Sequence, residues 1–411
     1  MLFRAWEYRA EQATVSTVTD RLGRPHTLVS GHAEVRAVLA DPVTYRPDNA
    51  LDAVTPVPVP ALRVLTRYGF RLPPTLANNG GLSHPAIRAI TARALHPDRV
   101  AEQRRWLSGL VARRVAGLST RLRTGAPVDL YADLAADLPL LVLARLVELP
   151  ESGAAMVKRF SRAALELFWA PLSADRQREL AEVVGGYHAV LRDFASTAGG
   201  LVGELRGYAA AHGLGPDVPV AALFFLLVAG QETTSQFLTL LLHRLAGEPI
   251  VLSGLSTGDI PVDDVVEEGL RLVPPIVTWR RVAARDTRLG GVDIPRGRGI
   301  VLWLAEAGRD RAAARDEFRP GQPGSRRHLA FGAGAHRCAG AHLARMEAAV
   351  VVQHTAPLLR EVEVVRAPWS PDNLSFRMPD ALVVTRASAA GDRVPRPGAA
   401  APDRLARTAT G

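Results

Sequence analysis

Residues 328–345 read His-Leu-Ala-Phe-Gly-Ala-Gly-Ala-His-Arg-Cys-Ala-Gly-Ala-His-Leu-Ala-Arg and contain the chain's one cysteine, Cys338. Leu343, Met346 and Val350 then fall on one helical face. This predicts Cys338 at a helix N-terminus, where free N–H groups and the helix dipole stabilise a thiolate. Gly332 and Gly334 permit positive φ and close approach of the backbone to a flat ligand, and Gly340 keeps the first helical turn clear of a planar group. Three chemistries fit: a buried structural thiol, a Cys–His nucleophile using His336, and a thiolate ligand to haem iron. The local spacing does not choose among them.

Three further segments carry reactive or charged groups at helical spacing. Leu223–Leu242 is an apolar helix pattern interrupted by Ala229-Gly230-Gln231-Glu232-Thr233-Thr234. Gly230 weakens the helix, and a Thr233 hydroxyl can bond back to the Ala229 carbonyl four residues earlier. An acid and an alcohol at a bent apolar helix suit proton delivery to a bound oxygen species. Glu268 and Arg271 stand at i, i+3 and His84 and Arg88 at i, i+4, so each pair shares a helix face. Taken singly, each of these segments also reads as an ordinary solvated turn or surface pair.

Taken together they resemble the cytochrome P450 family. Phe331-Gly332-x-Gly334-x-His336-x-Cys338-x-Gly340 is similar to its haem-binding signature at every fixed position, with Ala339 where leucine is common. The resemblance implies haem b with Cys338 as the axial iron ligand, and Phe331, Gly332, His336 and Gly340 around it. It assigns His84, Arg88, Arg281 and His336 to the haem propionates. Thr233 would stabilise oxygen species at the iron, Glu232 would relay protons, and Ala229 and Gly230 would open the dioxygen groove. Glu268 and Arg271 would support the haem-binding core. The arginine usually found before a phenylalanine in this region is replaced by Glu317 before Phe318, which leaves Arg315 or Arg319 as substitutes, and Gly308 stands for a common asparagine. Family layout places the substrate pocket at the 62–79 loop, the central helix, the 276–279 turn and residues 373–378. The candidate contacts are Leu76, Asn78, Phe225, Val228, Val277, Thr278, Ser375 and Phe376.

The implied activity is oxidation of a small natural-product substrate with dioxygen, as hydroxylation, epoxidation or oxidative coupling, in bacterial specialised metabolism. A ferredoxin and its reductase are the implied electron donors, since no flavin-binding extension is seen. Arg104, Arg105, Arg113, Arg114, Arg326, Arg327, Arg337 and Arg345 are candidates for a basic docking face. A haem-binding sensor or carrier of the same fold is the alternative function, and the intact Glu232–Thr233 pair argues against it.

The elements that must position these residues are mostly helical. Patterns near 86–95, 97–120, 130–148, 153–168, 174–210, 218–246, 261–272 and 340–360 predict helices, and stretches near 24–30, 285–303 and 380–386 predict strands. The expected fold is mainly α with a small β region, with haem between the long central helix and the cysteine-bearing helix. Residues 50–82, punctuated by five prolines, read as an irregular loop lining a pocket. Residues 1–386 are expected to form a single domain, and 387–411 a disordered tail.

The 411-residue chain is 47% hydrophobic and 22% charged, as expected of a soluble globular protein. Of its 50 basic residues only Lys158 is a lysine. Such uniform arginine use fits codon bias, so the net charge of +9 is not read as nucleic-acid binding. A lone cysteine excludes an internal disulfide framework, a CxxC pair and a four-cysteine cluster. Met1–Arg9 lacks a signal-peptide core, and the longest apolar run, 219–230, is too short to span a bilayer. The sequence therefore predicts a cytoplasmic monomer with no membrane anchor.

Overall fold

The run from 218 to 227 is apolar around its whole circumference, and such a helix is stable only inside the protein. The computed structural model describes residues 13–20, 22–149, 153–310 and 314–387. In it the Asp217–Ala246 helix crosses the interior, and 78% of its most apolar window is buried. Between Asp217–Leu227 and Thr233–Ala246 the helix widens into a π turn over Val228–Glu232. Thr233 Oγ1 donates to Ala229 O at 2.6 Å within this turn. A π turn of this kind spreads the backbone where a helix lines a site.

Other helices pack around this axis. Ala154–Trp169 and Leu138–Val147 lie against the π turn, and Pro97–Arg123 runs along the cysteine-side helix, Ala341–Leu359. A five-stranded sheet flanks the helices in the order Val15–Thr19, Pro25–Val29, Gly299–Leu302, Trp279–Ala283, Tyr45–Arg46. Only the Pro25–Val29 and Gly299–Leu302 pair is parallel. A three-stranded and a two-stranded sheet complete the β portion.

Two expectations change. The pattern over 174–210 forms two helices, Ala174–Thr197 and Gly200–Ala211, because the Gly199-Gly200 pair breaks it, with Gly200 at φ +51°. The 50–82 stretch is not wholly irregular, since Val59–Arg67 is helical with Pro60 in its first turn, where a missing N–H costs no helical bond. Ala61, Val64 and Leu65 pack with Ala181 instead of lining the main cavity, and Leu62 is exposed. The expected tail, from residue 388 onward, and the Met1–Arg9 segment lie outside the described residues.

Two adjacent carboxylates on the Val262–Leu272 helix anchor the segment that carries Cys338. The Glu268 and Arg271 side chains are both fully buried and meet through two hydrogen bonds of 2.8 and 2.9 Å. Arg271 also donates to the carbonyls of Ala314, Arg315 and Glu317. The third partner of Glu268 is neither the Arg315 nor the Arg319 side chain. The Gln322 amide and the Arg319 backbone N–H fill that place, while the two guanidinium groups pair with Glu306 and Glu317. Glu267, which sequence reasoning passed over, holds His328 at 3.2 Å and Arg345 through its guanidinium. One carboxylate thus ties both ends of the cysteine turn.

Burial works to raise the Glu267 carboxyl, but bonds from His328 and Arg345 outweigh it and hold the group at about 2. A depressed carboxyl stabilises the fold above its ordinary value of 4.5, and that contribution is lost as pH falls from there toward 2. Discounting for hydration on the Arg345 side, about 2 kcal/mol is at stake. Denaturant unfolding between neutral pH and pH near 3 should therefore show Glu267→Gln to be less stable than the parent at neutral pH, with a flatter acid limb. Parallel pH profiles for the two proteins would exclude this role.

Candidate active site

The cysteine turn is shaped by its glycines. Gly332 and Gly334 have φ of +64° and +68°. A Cβ on Gly332 would meet nothing within 4 Å, so that position opens onto the cavity. Gly334 is constrained differently: a Cβ there would run into the backbone carbonyl of Leu39, 2.2 Å away. It lets the turn sit on the His32–Ala40 helix rather than letting a ligand approach, which corrects the shared role expected of the two glycines. The Cys338 N–H donates to Phe331 O at 2.9 Å, closing the loop. Helix Ala341–Leu359 begins three residues after the cysteine, capped by Gly340. Arg345 lies over the Phe331 ring at 4.6 Å.

Cys338 opens onto the main cavity, together with Phe331, Gly332, His336, Gly340 and Leu343. Burial raises the thiol above its ordinary value, partly offset by the Gly340 N–H and by the charges of Arg88, Arg337 and Arg345. Across the cavity stand Val228, Ala229, Gly230, Thr233, Thr234 and Phe237 of the central helix. The cysteine turn and the π turn therefore face each other.

One side of the cavity collects two arginines and a pair of histidines without a carboxylate. His84 and His336 lie with ring centroids 4.1 Å apart, His336 Nδ1 is 3.0 Å from Leu76 O, and Arg88 reaches the Arg337 carbonyl. Arg281 is nearly fully buried, and among the described residues its side chain bonds only the Arg280 carbonyl. Burial lowers its guanidinium to about 10, and burial with the neighbouring charges of His84 and Arg281 pushes His336 down to about 4. His84 Nε2 and Arg281 Nε are buried without partners. Orphaned buried nitrogens beside two arginines that meet no carboxylate fit a ligand bearing carboxylates. With an open thiol and open glycine faces beside them, these residues fit haem.

Glu232 does not line this cavity. It lies fully buried on the opposite side of the π turn, in an ion pair with Lys158 and 3.8 Å from Arg162. Lys158 also bonds Gln231 Oε1 at 3.0 Å and Ser235 Oγ at 3.3 Å. The chain's one lysine therefore sits behind the acid–alcohol segment, a placement that no sequence pattern signalled.

Of the expected pocket residues, Leu76, Phe225, Val228 and Phe376 line the cavity, joined by Trp169, Ile276 and Trp279. Asn78, Val277, Thr278 and Ser375 do not. Asn78 accepts the Thr75 N–H, and Thr278 bonds Leu374 O and lies 3.3 Å from Ser375 Oγ. Ile276 and Phe376 form a bridge, so in these extended segments the neighbours Val277 and Ser375 turn away from the cavity. Among the eight arginines expected on a docking face, Arg114, Arg326 and Arg345 are taken up by Asp137, Asp264 and Glu267.

Residues 261–383 match the family model of cytochrome P450. The chain is 31% identical over 351 residues to cytochrome P450-SOY of Streptomyces griseus, covering 82% of this chain and 80% of that one. It is 30% identical over 369 residues to cytochrome P-450 monooxygenase DoxA of Streptomyces sp. (strain C5), with 83% of each covered. The solved structure of cytochrome P450 CREJ in complex with (4-ethylphenyl) dihydrogen phosphate superposes with a TM-score of 0.84 at 26% identity, over 90% of this chain and 94% of that one. Sequence and fold agree over most of the length, and the chain belongs to the cytochrome P450 family, whose members use haem iron and dioxygen.

Proposed function

We propose that this protein is a haem-thiolate monooxygenase acting on a small neutral natural product in bacterial specialised metabolism, by hydroxylation, epoxidation or oxidative coupling. The observation that carries the reading is that Cys338, the cationic cluster and the Ala229–Thr234 segment all open onto or border one apolar cavity. Haem b bound there by Cys338 supplies thiolate-ligated iron that activates dioxygen. His84, Arg88, Arg281 and His336 hold its carboxylates, and the buried positions of His84 and Arg281 exclude water from those bonds. No carboxylate lines the cavity among the described residues, and its outer wall is built from Leu76, Trp169, Phe225, Trp279 and Phe376, which favours an uncharged substrate.

Thr233 holds a proton at Oγ1 on the cavity side, spent on the Ala229 carbonyl until the hydroxyl rotates. Glu232 stands behind it as a relay: ion-paired, it holds no proton of its own, so it takes one from Lys158 or from solvent and passes it toward Thr233 as that pair opens. Burial lowers the Lys158 ammonium, so it gives up a proton more readily than an exposed lysine and suits the end of a relay. A cytoplasmic monomer fed by a ferredoxin and its reductase completes the proposal. Arg104, Arg105, Arg113, Arg327 and Arg337, which make no ion pair among the described residues, are the docking cations.

The purified protein, reduced under carbon monoxide, should show the long-wavelength Soret band of a thiolate ligand, and Cys338→Ser should lack it; a parent spectrum without that band rules the reading out, whereas a sensor or carrier would show the band without turnover. Thr233→Ala should lower product formation about 100-fold, the scale of general acid–base catalysis, while electrons continue to be consumed and appear as peroxide. Unchanged coupling of electrons to product would remove Thr233 from proton delivery. Turnover with a ferredoxin should fall steeply as ionic strength rises, and salt-independent turnover would exclude the arginine docking face.

A further inference from the structure

A second cavity, of about 130 Å³, lies on the other face of the strand Trp279–Ala283. Strand alternation sends Trp279 and Arg281 to the main cavity and Arg280 to this one. Its remaining lining includes Asn49, Val54, Ile300, Val301 and Leu374. The space accommodates about six heavy atoms.

Arg280 is 91% buried, being 9% exposed. Its Nη2 donates to the carbonyls of Ala50 at 3.0 Å and Asp52 at 2.7 Å. Nε has no partner, and Nη1 makes no hydrogen bond among the described residues. The other charges facing the cavity do not neutralise it. Asp20 is taken by Arg24 at 2.7 Å, by His26 at 3.1 Å and by the N–H groups of Leu22 and Arg24. Asp52 attracts the guanidinium but makes no ion pair with it, and Arg24 repels it. A buried guanidinium whose nearest carboxylate, that of Asp52, makes no bond to it is costly, and an anion that bonds it directly and also fills the apolar space lowers that cost.

We propose that this cavity is a binding site for a short-chain aliphatic carboxylate, whose anionic end takes the unbonded Nη1 of Arg280 and whose alkyl end packs against Val54, Val301 and Leu374. The site is separate from the haem cavity but shares two segments with it. Asn49 donates to the Arg281 carbonyl at 2.8 Å, and Leu374 lies two residues before the cavity-lining Phe376. An occupant therefore braces the wall that carries Arg281.

Isobutyrate titrated calorimetrically into the haem-loaded protein tests this directly. The expected dissociation constant is about 1 mM. Isobutyramide, of the same shape without the charge, should bind at least about tenfold more weakly, because a charge-assisted bond to the guanidinium is lost. Arg280→Met should weaken isobutyrate by a similar factor. Val54→Phe, which fills the cavity from the opposite wall and leaves Arg280 in place, should do the same, so the test does not depend on one variant folding. Equal binding of acid and amide, equal binding by parent and Val54→Phe, or no binding by the parent would overturn the proposal. The carbon monoxide spectrum of the same preparation reports on the haem site independently.

Discussion

The position of the thiol depends on two neighbouring carboxylates that cannot be left unpaired. Buried ions are tolerated only when their partners are held in place, and removing one partner is far more costly than never burying the pair. Glu268 meets this demand with Arg271, Gln322 and the Arg319 N–H, which gathers the irregular segment around 314–322. Glu267 meets it with His328 and Arg345, which bracket Cys338 in sequence. The turn between them has few ways to lie, and Gly334, pressed on the Leu39 carbonyl, removes most of the remainder. The cysteine is placed by electrostatic necessity on one side and by backbone contact on the other.

The cavity opposes two kinds of surface. Most of its wall is apolar and uncharged, while one edge gathers Arg88, Arg281 and His336, with His84 packed against His336, and no acid among the described residues. Such an edge makes sense only when an anion completes it. Behind the opposite wall, Lys158 and Glu232 keep a buried pair off the cavity but next to the residue that faces it. The charge of that pair is thereby kept beside Thr233 but out of the apolar cavity. The second cavity differs in holding two aspartates, yet neither carboxylate bonds the Arg280 guanidinium.

Much of this was legible in the residues. The signature around Cys338, the broken central helix and the pairs at helical spacing were each visible as patterns, since a helix places residues three and four apart on one face whatever surrounds it. The break in the 174–210 pattern and the helix inside the 50–82 stretch were not legible, because glycine and proline report local permissiveness and only packing determines whether a helix stops or starts there. Val277, Thr278 and Ser375 were expected in the pocket and turn away from it, because a one-residue change of phase in an extended segment exchanges its two faces. The role of Glu267 was hidden beside Glu268, as both are acids on one helix and their partners lie 61 and 78 residues away.

The amino-acid sequence by itself determined the chemistry available: one thiol, one acid–alcohol step in an apolar helix, and a set of cations at helical spacing. Those depend on residue type and on the fixed geometry of a helix turn, which need no tertiary contacts. Tertiary structure alone decided which charges were compensated and which were left open. It gave Glu268 an amide partner in place of an arginine, set Lys158 against Glu232, and left Arg281 and Arg280 unpaired on opposite faces of one strand. Compensation of a buried charge depends on distances between segments far apart in the chain, and no local pattern carries them.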